Sequence, residues 1–168
     1  MKQSRLICNI RAMTLLFASA LLVFAGPAAA GKHDHDREHG KRHDVEKIVI
    51  HIKVHQEDLQ GAIIGMRLAT LMQSKGADTT VFLTLRGVRI ADNRVPQDLY
   101  FGRDTEATLG NIVHGYLGAG GKIGVCPVCG HEIGLEPGYL IGPMEQVSIF
   151  SPEEIAELFF EADKILDF

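Results

Sequence analysis

Between Lys47 and Leu85 the spacing of apolar residues changes twice, from two to about 3.6 and back to two, and this restricts the fold more than any other feature. Ile48, Ile50, Ile52 and Val54 share one side of an extended segment and Val49, His51, Lys53 and His55 the other, which predicts a first strand over Lys47 to His55. From Gln56 to Lys75, Leu59, Ile63, Met66, Ala69 or Thr70, and Met72 recur at helical spacing until Gly76 stops them. Gly61 and Gly65, one turn apart on this helix, suit close packing of its backbone on a sheet. Asp78 to Leu85, with Val81-Phe82-Leu83 among threonines, predicts a second strand. Strand, helix, strand is a βαβ unit, which is right-handed and makes its two strands parallel.

The rest of the chain continues the alternation. Arg86 to Arg103 is broken by Gly87, Pro96 and Gly102 and reads as a loop; at eighteen residues it is long enough to suggest a lid or binding loop. Asp104 or Thr105 is the expected cap of a second helix, whose apolar face is Leu109, Ile112 or Val113, and Tyr116 or Leu117. Gly118 to Gly121 ends it, and Lys122 to Val125 is a short third strand. A further strand is expected around Gln146 to Ile149. Ser151-Pro152-Glu153-Glu154 is a capping box with proline in the first turn. It opens a helix whose Ile155, Leu158, Phe159 and Ala162 predict a buried face, and Ile165 to Phe168 reads as a last strand. The class is α/β, with a mainly parallel sheet of about five strands covered on both sides. Ligands of such sheets collect at the carboxyl ends of the strands, here the rim holding His55, Arg86, Gly87 and Cys126.

Ahead of the domain, residues 1–30 carry Lys2, Arg5 and Arg11, an apolar run of thirteen residues from Ala12 to Phe24, and then Ala28-Ala29-Ala30. That is the layout of a cleavable secretory signal. The run is shorter than the roughly 20 residues that span a bilayer, and no second one follows, so the processed chain is expected to be exported, periplasmic or secreted, with no membrane segment. Cys8 lies within the part removed. Residues 31–44, GKHDHDREHGKRHD, hold no aliphatic or aromatic side chain and four histidines; they read as a disordered tether with incidental affinity for Zn, Cu or Ni ions. The remaining 124 residues, Val45 to Phe168, suit one domain. The chain has 17 basic and 21 acidic residues, and removal of three basic ones with the signal leaves 14 against 21, a charge of −7. A nucleic-acid partner is thereby disfavoured.

The chemistry lies in Cys126-Pro127-Val128-Cys129. Cys126 follows the third strand, and Pro127 suits the first position of a short helix, so Cys126 is expected at its N-cap, where free amides and the helix dipole favour a thiolate. Cys129, one turn on, can reach back to it. Three readings of the pair stand side by side. It is a reactive dithiol, or half of a zinc site completed by His131, His114, His55 or tether histidines, or an inert local disulfide. A closed zinc site needs four ligands and the chain has no second Cys-x-x-Cys; a disulfide closing so short a loop removes little chain entropy. His131, two residues beyond Cys129, is placed to stabilise a thiolate as a cation, and Arg86 to hold an anionic sulfur species. His51 and His55 would be about 13 Å apart along a strand, too far to share an ion. Tyr116 and Tyr139 read as packing residues.

Val81-Phe82-Leu83 leading to Gly87-Val88, the glycine-rich helix end at Gly118 to Gly121, Gly124-Val125-Cys126-x-x-Cys129 followed by Gly134-Leu135, and Ala162-Asp163-Lys164-Ile165-Leu166 running to Phe168 together resemble the DsrE/DsrF-like family. The resemblance covers the whole domain from Val45. It implies a three-layer α/β/α sandwich, assembly as a homo-oligomer, trimer or hexamer, and handling of sulfane sulfur as a cysteine persulfide, which several members pass on in sulfur oxidation or thiouridine synthesis. Cys126 matches the family's sulfur-carrying cysteine, whereas Cys129 stands where a simple carrier often has a small residue. The expectation is an exported sulfur carrier or sulfurtransferase working through Cys126, with Cys129 as resolving thiol and His55, Arg86 and His131 in support. It needs no cofactor, and its partner is a sulfur donor or acceptor. The rivals are a Zn or Cu module built on Cys126, Cys129, His131 and the tether, and an oligomeric interaction domain.

Overall fold

The computed structural model describes residues 45–103 and 107–168. The expected signal, the tether and the cap at Asp104 or Thr105 fall outside the described residues. Along the chain come β1 (Lys47–Ile52), α1 (Leu59–Ser74), β2 (Asp78–Leu83), α2 (Leu109–Gly118), β3 (Lys122–Val125), α3 (Pro127–Glu132), β4 (Val147–Ile149), α4 (Pro152–Glu161) and β5 (Lys164–Asp167). Short 3-10 turns occupy Gln56–Asp58, Leu85–Ala91 and Pro137–Tyr139. No helix among the described residues is long and apolar enough to cross a membrane.

All five strands are parallel, in the order β4-β3-β2-β1-β5. From β1 to β4 the chain steps one strand at a time in one direction, and α1 and α2 pack together on one face of the sheet. The link from β4 to β5 runs back across the whole sheet. A right-handed crossover travelling the other way must lie on the other face, and this puts α4 there. The result is the expected three-layer α/β/α sandwich.

The two faces are unequal. Ile48, Ile50, Ile52, Val81, Leu83, Ile123 and Val125 turn toward α1 and α2 and are buried with Met66, Val113 and Tyr116. Tyr116, read as a packing residue, also binds backbone: its hydroxyl donates to the carbonyl of Thr79 at 2.5 Å and lies 3.0 Å from that of Lys122. Burial drives its phenol pKa far up. On the other face α4 lies alone over His51, Phe82 and Phe150, with Phe159 edge-on to the first two. The face expected to be buried on α4 is therefore only half-buried at Ile155, Leu158 and Phe159, and Phe160 is 90% exposed.

Three boundaries differ from the sequence reading. β1 ends at Ile52 instead of His55, because the turn after β2 closes over its end. Gly87 donates there to the carbonyl of Lys53 at 3.1 Å. The long loop is half structured, since Leu85–Ala91 buries Val88, Ile90 and Ala91. The cap of α2 is Thr108, whose hydroxyl accepts from the amide of Asn111 at 3.2 Å. The amides of Leu109 and Gly110 are taken by the carbonyls of Leu99 and Gln97, at 2.7 and 2.8 Å, so the loop itself fixes where the helix starts.

Candidate functional site

β3 delivers Cys126 to the carboxyl rim. Its amide donates to the carbonyl of Leu83 at 2.9 Å, carrying the β2–β3 ladder one residue past Val125. Its carbonyl accepts from Gly130 at 2.9 Å, so Cys126 is the N-cap of α3, with Pro127 in the first turn, as the sequence predicts. Beyond Val125 the chain passes to the α1/α2 side, where Leu135 joins the core and Cys129 and Ile133 pack against it; beyond Ile149 it passes to the α4 side. In parallel sheets ligands gather where neighbouring strands depart to opposite faces, and Cys126 ends β3 at that point of the rim.

Both cysteines are free and half-buried. One expectation is not met, in that no helix amide hydrogen-bonds the Cys126 side chain. The amide that reaches a sulfur comes from another element. Leu85 has φ 49°, in the left-handed region, and its N–H donates to Cys129 Sγ at 3.1 Å. A left-handed leucine costs on the order of 1 to 2 kcal/mol, and its side chain is 63% exposed, so no burial of its own accounts for the conformation. Burial pushes the Cys129 thiol up; the Leu85 amide works against this, and the neighbouring Cys126 sulfur adds to it. Cys129 is thus favoured as a thiol in the resting pair.

Beside α3 a cleft of about 630 Å³ is lined by Lys53, Val54, Glu57, Leu85, Arg86, Cys129, Glu132 and Ile133. It shares Glu57, Leu85, Arg86 and Ile133 with a second cleft of about 780 Å³, lined also by His55, Gln56, Arg89 and Val95. Of the residues picked from the sequence, Cys129, His55 and Arg86 therefore gather on one side of the rim. Cys126 and His131 line neither cleft, and His131 is exposed on α3. His55 is 1% exposed, and its Nε2 is buried with no hydrogen-bond partner among the described residues. Burial lowers its pKa against the pull of Glu57, with Arg89 reinforcing the drop, so the ring is neutral. Arg86 is exposed, its Nε 4.0 Å from a Glu57 carboxylate oxygen.

Among the described residues no three of His, Cys, Asp and Glu converge as metal ligands. A zinc site on Cys126 and Cys129 would have to draw ligands from elsewhere. The sequence reading missed Leu85, Arg89 and Glu57. Arg89 and Glu57 had a signal, as charged residues beside the rim positions already chosen; a leucine in a glycine's conformation had none.

A model of the DsrE/DsrF-like family matches residues 46–168. No curated protein matches. Among solved structures the chain is similar to the ychN protein from E. coli, at 20% identity over 74% of this chain and 98% of that one, with a TM-score of 0.56. At that identity the likeness speaks for the fold.

Proposed function

Because the chain belongs to the DsrE/DsrF-like family, we propose that it carries sulfane sulfur as a persulfide on Cys126, with Cys129 as the resolving thiol. The observation that supports this most is the asymmetry of the pair: Cys126 stands at the carboxyl rim on the end of β3, while Cys129 is held by the Leu85 amide with its thiol pushed up. In the loading step the Cys126 thiolate attacks the outer sulfur of a donor persulfide. A bond to that sulfur forms, the donor S–S bond breaks, and the donor leaves as a thiolate. An acceptor thiolate takes the sulfur by the same exchange. Without an acceptor, Cys129 attacks Cys126 Sγ and expels hydrosulfide; the two cysteines are oxidised to a disulfide and the carried sulfur is reduced. Neutral His55 and the Arg86 cation line the clefts beside Cys129 and suit a donor bearing negative charge.

The proposal includes export, on the strength of residues 1–30, and self-association as a trimer or hexamer. The test is intact mass of protein purified without a metal-affinity tag and mixed with a persulfide donor. A gain of about 32 Da that a reductant removes is expected. Cys126→Ser should abolish it, and Cys129→Ser should leave it intact and longer-lived. Loading that survives Cys126→Ser refutes the assignment, and stoichiometric zinc that shields both thiols from alkylation would establish the metal module instead.

A further inference from the structure

The α4 face of the rim carries a hydrogen-bonded chain that the sulfur chemistry above does not use. His51 of β1 places Nδ1 2.6 Å from Asp167 Oδ1 of β5 and Nε2 2.8 Å from Thr84 Oγ1, at the end of β2. With Nδ1–H donating to the carboxylate, Nε2 is an acceptor and the Thr84 hydroxyl donates to it. This is the arrangement of hydroxyl, imidazole and carboxylate by which a hydroxyl proton is drawn onto a base. The ring is fixed from the sides by a stack on Phe82, centroids 5.6 Å apart, and by the edge of Phe159 at 6.2 Å. Burial works to raise the Asp167 carboxyl, but the hydrogen bonds and charges of His51 and Lys53 together outweigh it and hold the carboxyl below its ordinary range. The charged neighbours of the chain are Asp167 and Lys53, whose Nζ lies 3.4 Å from the same carboxylate oxygen.

The open end of the chain, Thr84, is a neighbour of Cys126 across the ladder. In the β2–β3 ladder Leu83 pairs with Val125, so the next residues, Thr84 and Cys126, stand side by side on strands about 4.8 Å apart. They also face the same way. Phe82 lies on the α4 face, and a Cβ on Gly124 would run into the Phe150 ring that stacks on Phe82. Thr84 and Cys126, two residues further along each extended backbone, return to that face. We infer that Thr84, His51 and Asp167 form a proton relay that accepts the thiol proton of Cys126. The Cys126 S–H bond breaks toward Thr84 Oγ1 as the Thr84 O–H bond breaks toward His51 Nε2. One proton crosses, the thiolate is left on Cys126, and the imidazolium sits against the Asp167 carboxylate. Thr84 touches the reacting proton; His51 and Asp167 act through it as positioning residues, and Asp167, with its side chain 59% exposed, contributes mainly orientation.

The inference rests on Cys126 being the sulfur-carrying thiol, but its test reads the thiol alone. In the full chain bearing Cys8→Ser and Cys129→Ser, Cys126 is the only thiol left of three. Its alkylation rate at pH 7 should fall about tenfold in Thr84→Val, stay within about twofold in Thr84→Ser, and fall between these in Asp167→Asn. Thr84→Ser keeps the hydroxyl and Asp167→Asn alters an exposed group, so both remain informative if Thr84→Val fails to fold. Labelling of Thr84→Val at the parent rate, or of Thr84→Ser as slowly as Thr84→Val, overturns the relay. So does Asp167→Asn at the parent rate. Persulfide loading of the same variants, followed by mass, separates the two ideas: slow alkylation in a chain that never loads keeps the relay and discards the sulfur function.

Discussion

Replacing Gly87 by alanine should cost the domain about 3 kcal/mol. A Cβ built on Gly87 would lie 2.9 Å from the Ile52 carbonyl carbon and 2.2 Å from its oxygen, the latter more than 1 Å short of ordinary contact. Neither atom can retreat. Ile52 is fully buried at the end of β1, between β2 and β5, and its carbonyl accepts from Thr84 at 3.1 Å. The turn must lift instead, straining the bonds from Gly87 N–H to Lys53 and Thr84 at 3.1 and 2.9 Å. Overpacking costs about 1 to 3 kcal/mol and a weakened hydrogen bond about 1 more. For a domain of this size that is a fall of roughly 10 °C in melting temperature. The control is Gly115→Ala, exposed within α2 with open space around its Cβ direction, which should raise stability by up to about 1 kcal/mol. Thermal melts followed by circular dichroism compare the two. A Gly87→Ala protein melting within about 3 °C of the parent would refute the idea that the turn is clamped onto β1.

Leu85→Gly should hold or raise the melting temperature by a few degrees, because relief of a left-handed backbone, about 1 kcal/mol, outweighs the loss of a side chain that is 63% exposed; a clear drop would mean that the leucine side chain stabilises the turn. For His55 the sign follows from its lowered pKa. The unfolded chain protonates it near pH 6.5 while the folded ring stays neutral, so stability is whole above pH 6.5 and is lost as pH falls toward the lower folded value. Denaturant titrations at pH 7.5 and pH 5 should show this loss in the parent and a smaller one in His55→Gln, and equal losses would refute the assignment.

Features settled within a few residues were legible in the sequence. Ser151 and Glu154 exchange their two capping bonds at 3.2 and 2.6 Å, and Pro127 starts α3 at the first position. The pairing of periods made β1, α1 and β2 legible as elements, since each must bury one side, although β1 and β2 end three and two residues before their patterns do and α1 starts three residues later. Gly87-Val88 was legible as a motif, and the approach of Gly87 to Ile52 is its physical reason. Features set by distant partners were not. The start of α2 is fixed by carbonyls of the preceding loop, and the order of strands by the return of α4. The Leu85 conformation is imposed by the join of β2 to its turn. His55, read as the last residue of a strand, is buried by the packing of the turns around it. The link from His51 to Asp167 joins positions 116 apart, which no local pattern reports.

That separation also bears on the order in which the molecule can be put together. β1 lies between β2 and β5, and β2 follows it by about thirty residues, whereas β5 arrives only at Lys164–Asp167. In a chain emerging at about 5 to 20 residues per second, one edge of β1 stays unpaired for roughly ten seconds after its first neighbour has docked. Open parallel edges template pairing with other chains, so this interval is when the molecule is most exposed to misassembly. Docking of β5 closes it through contacts of long sequence separation, which makes the last strand a slow step in folding.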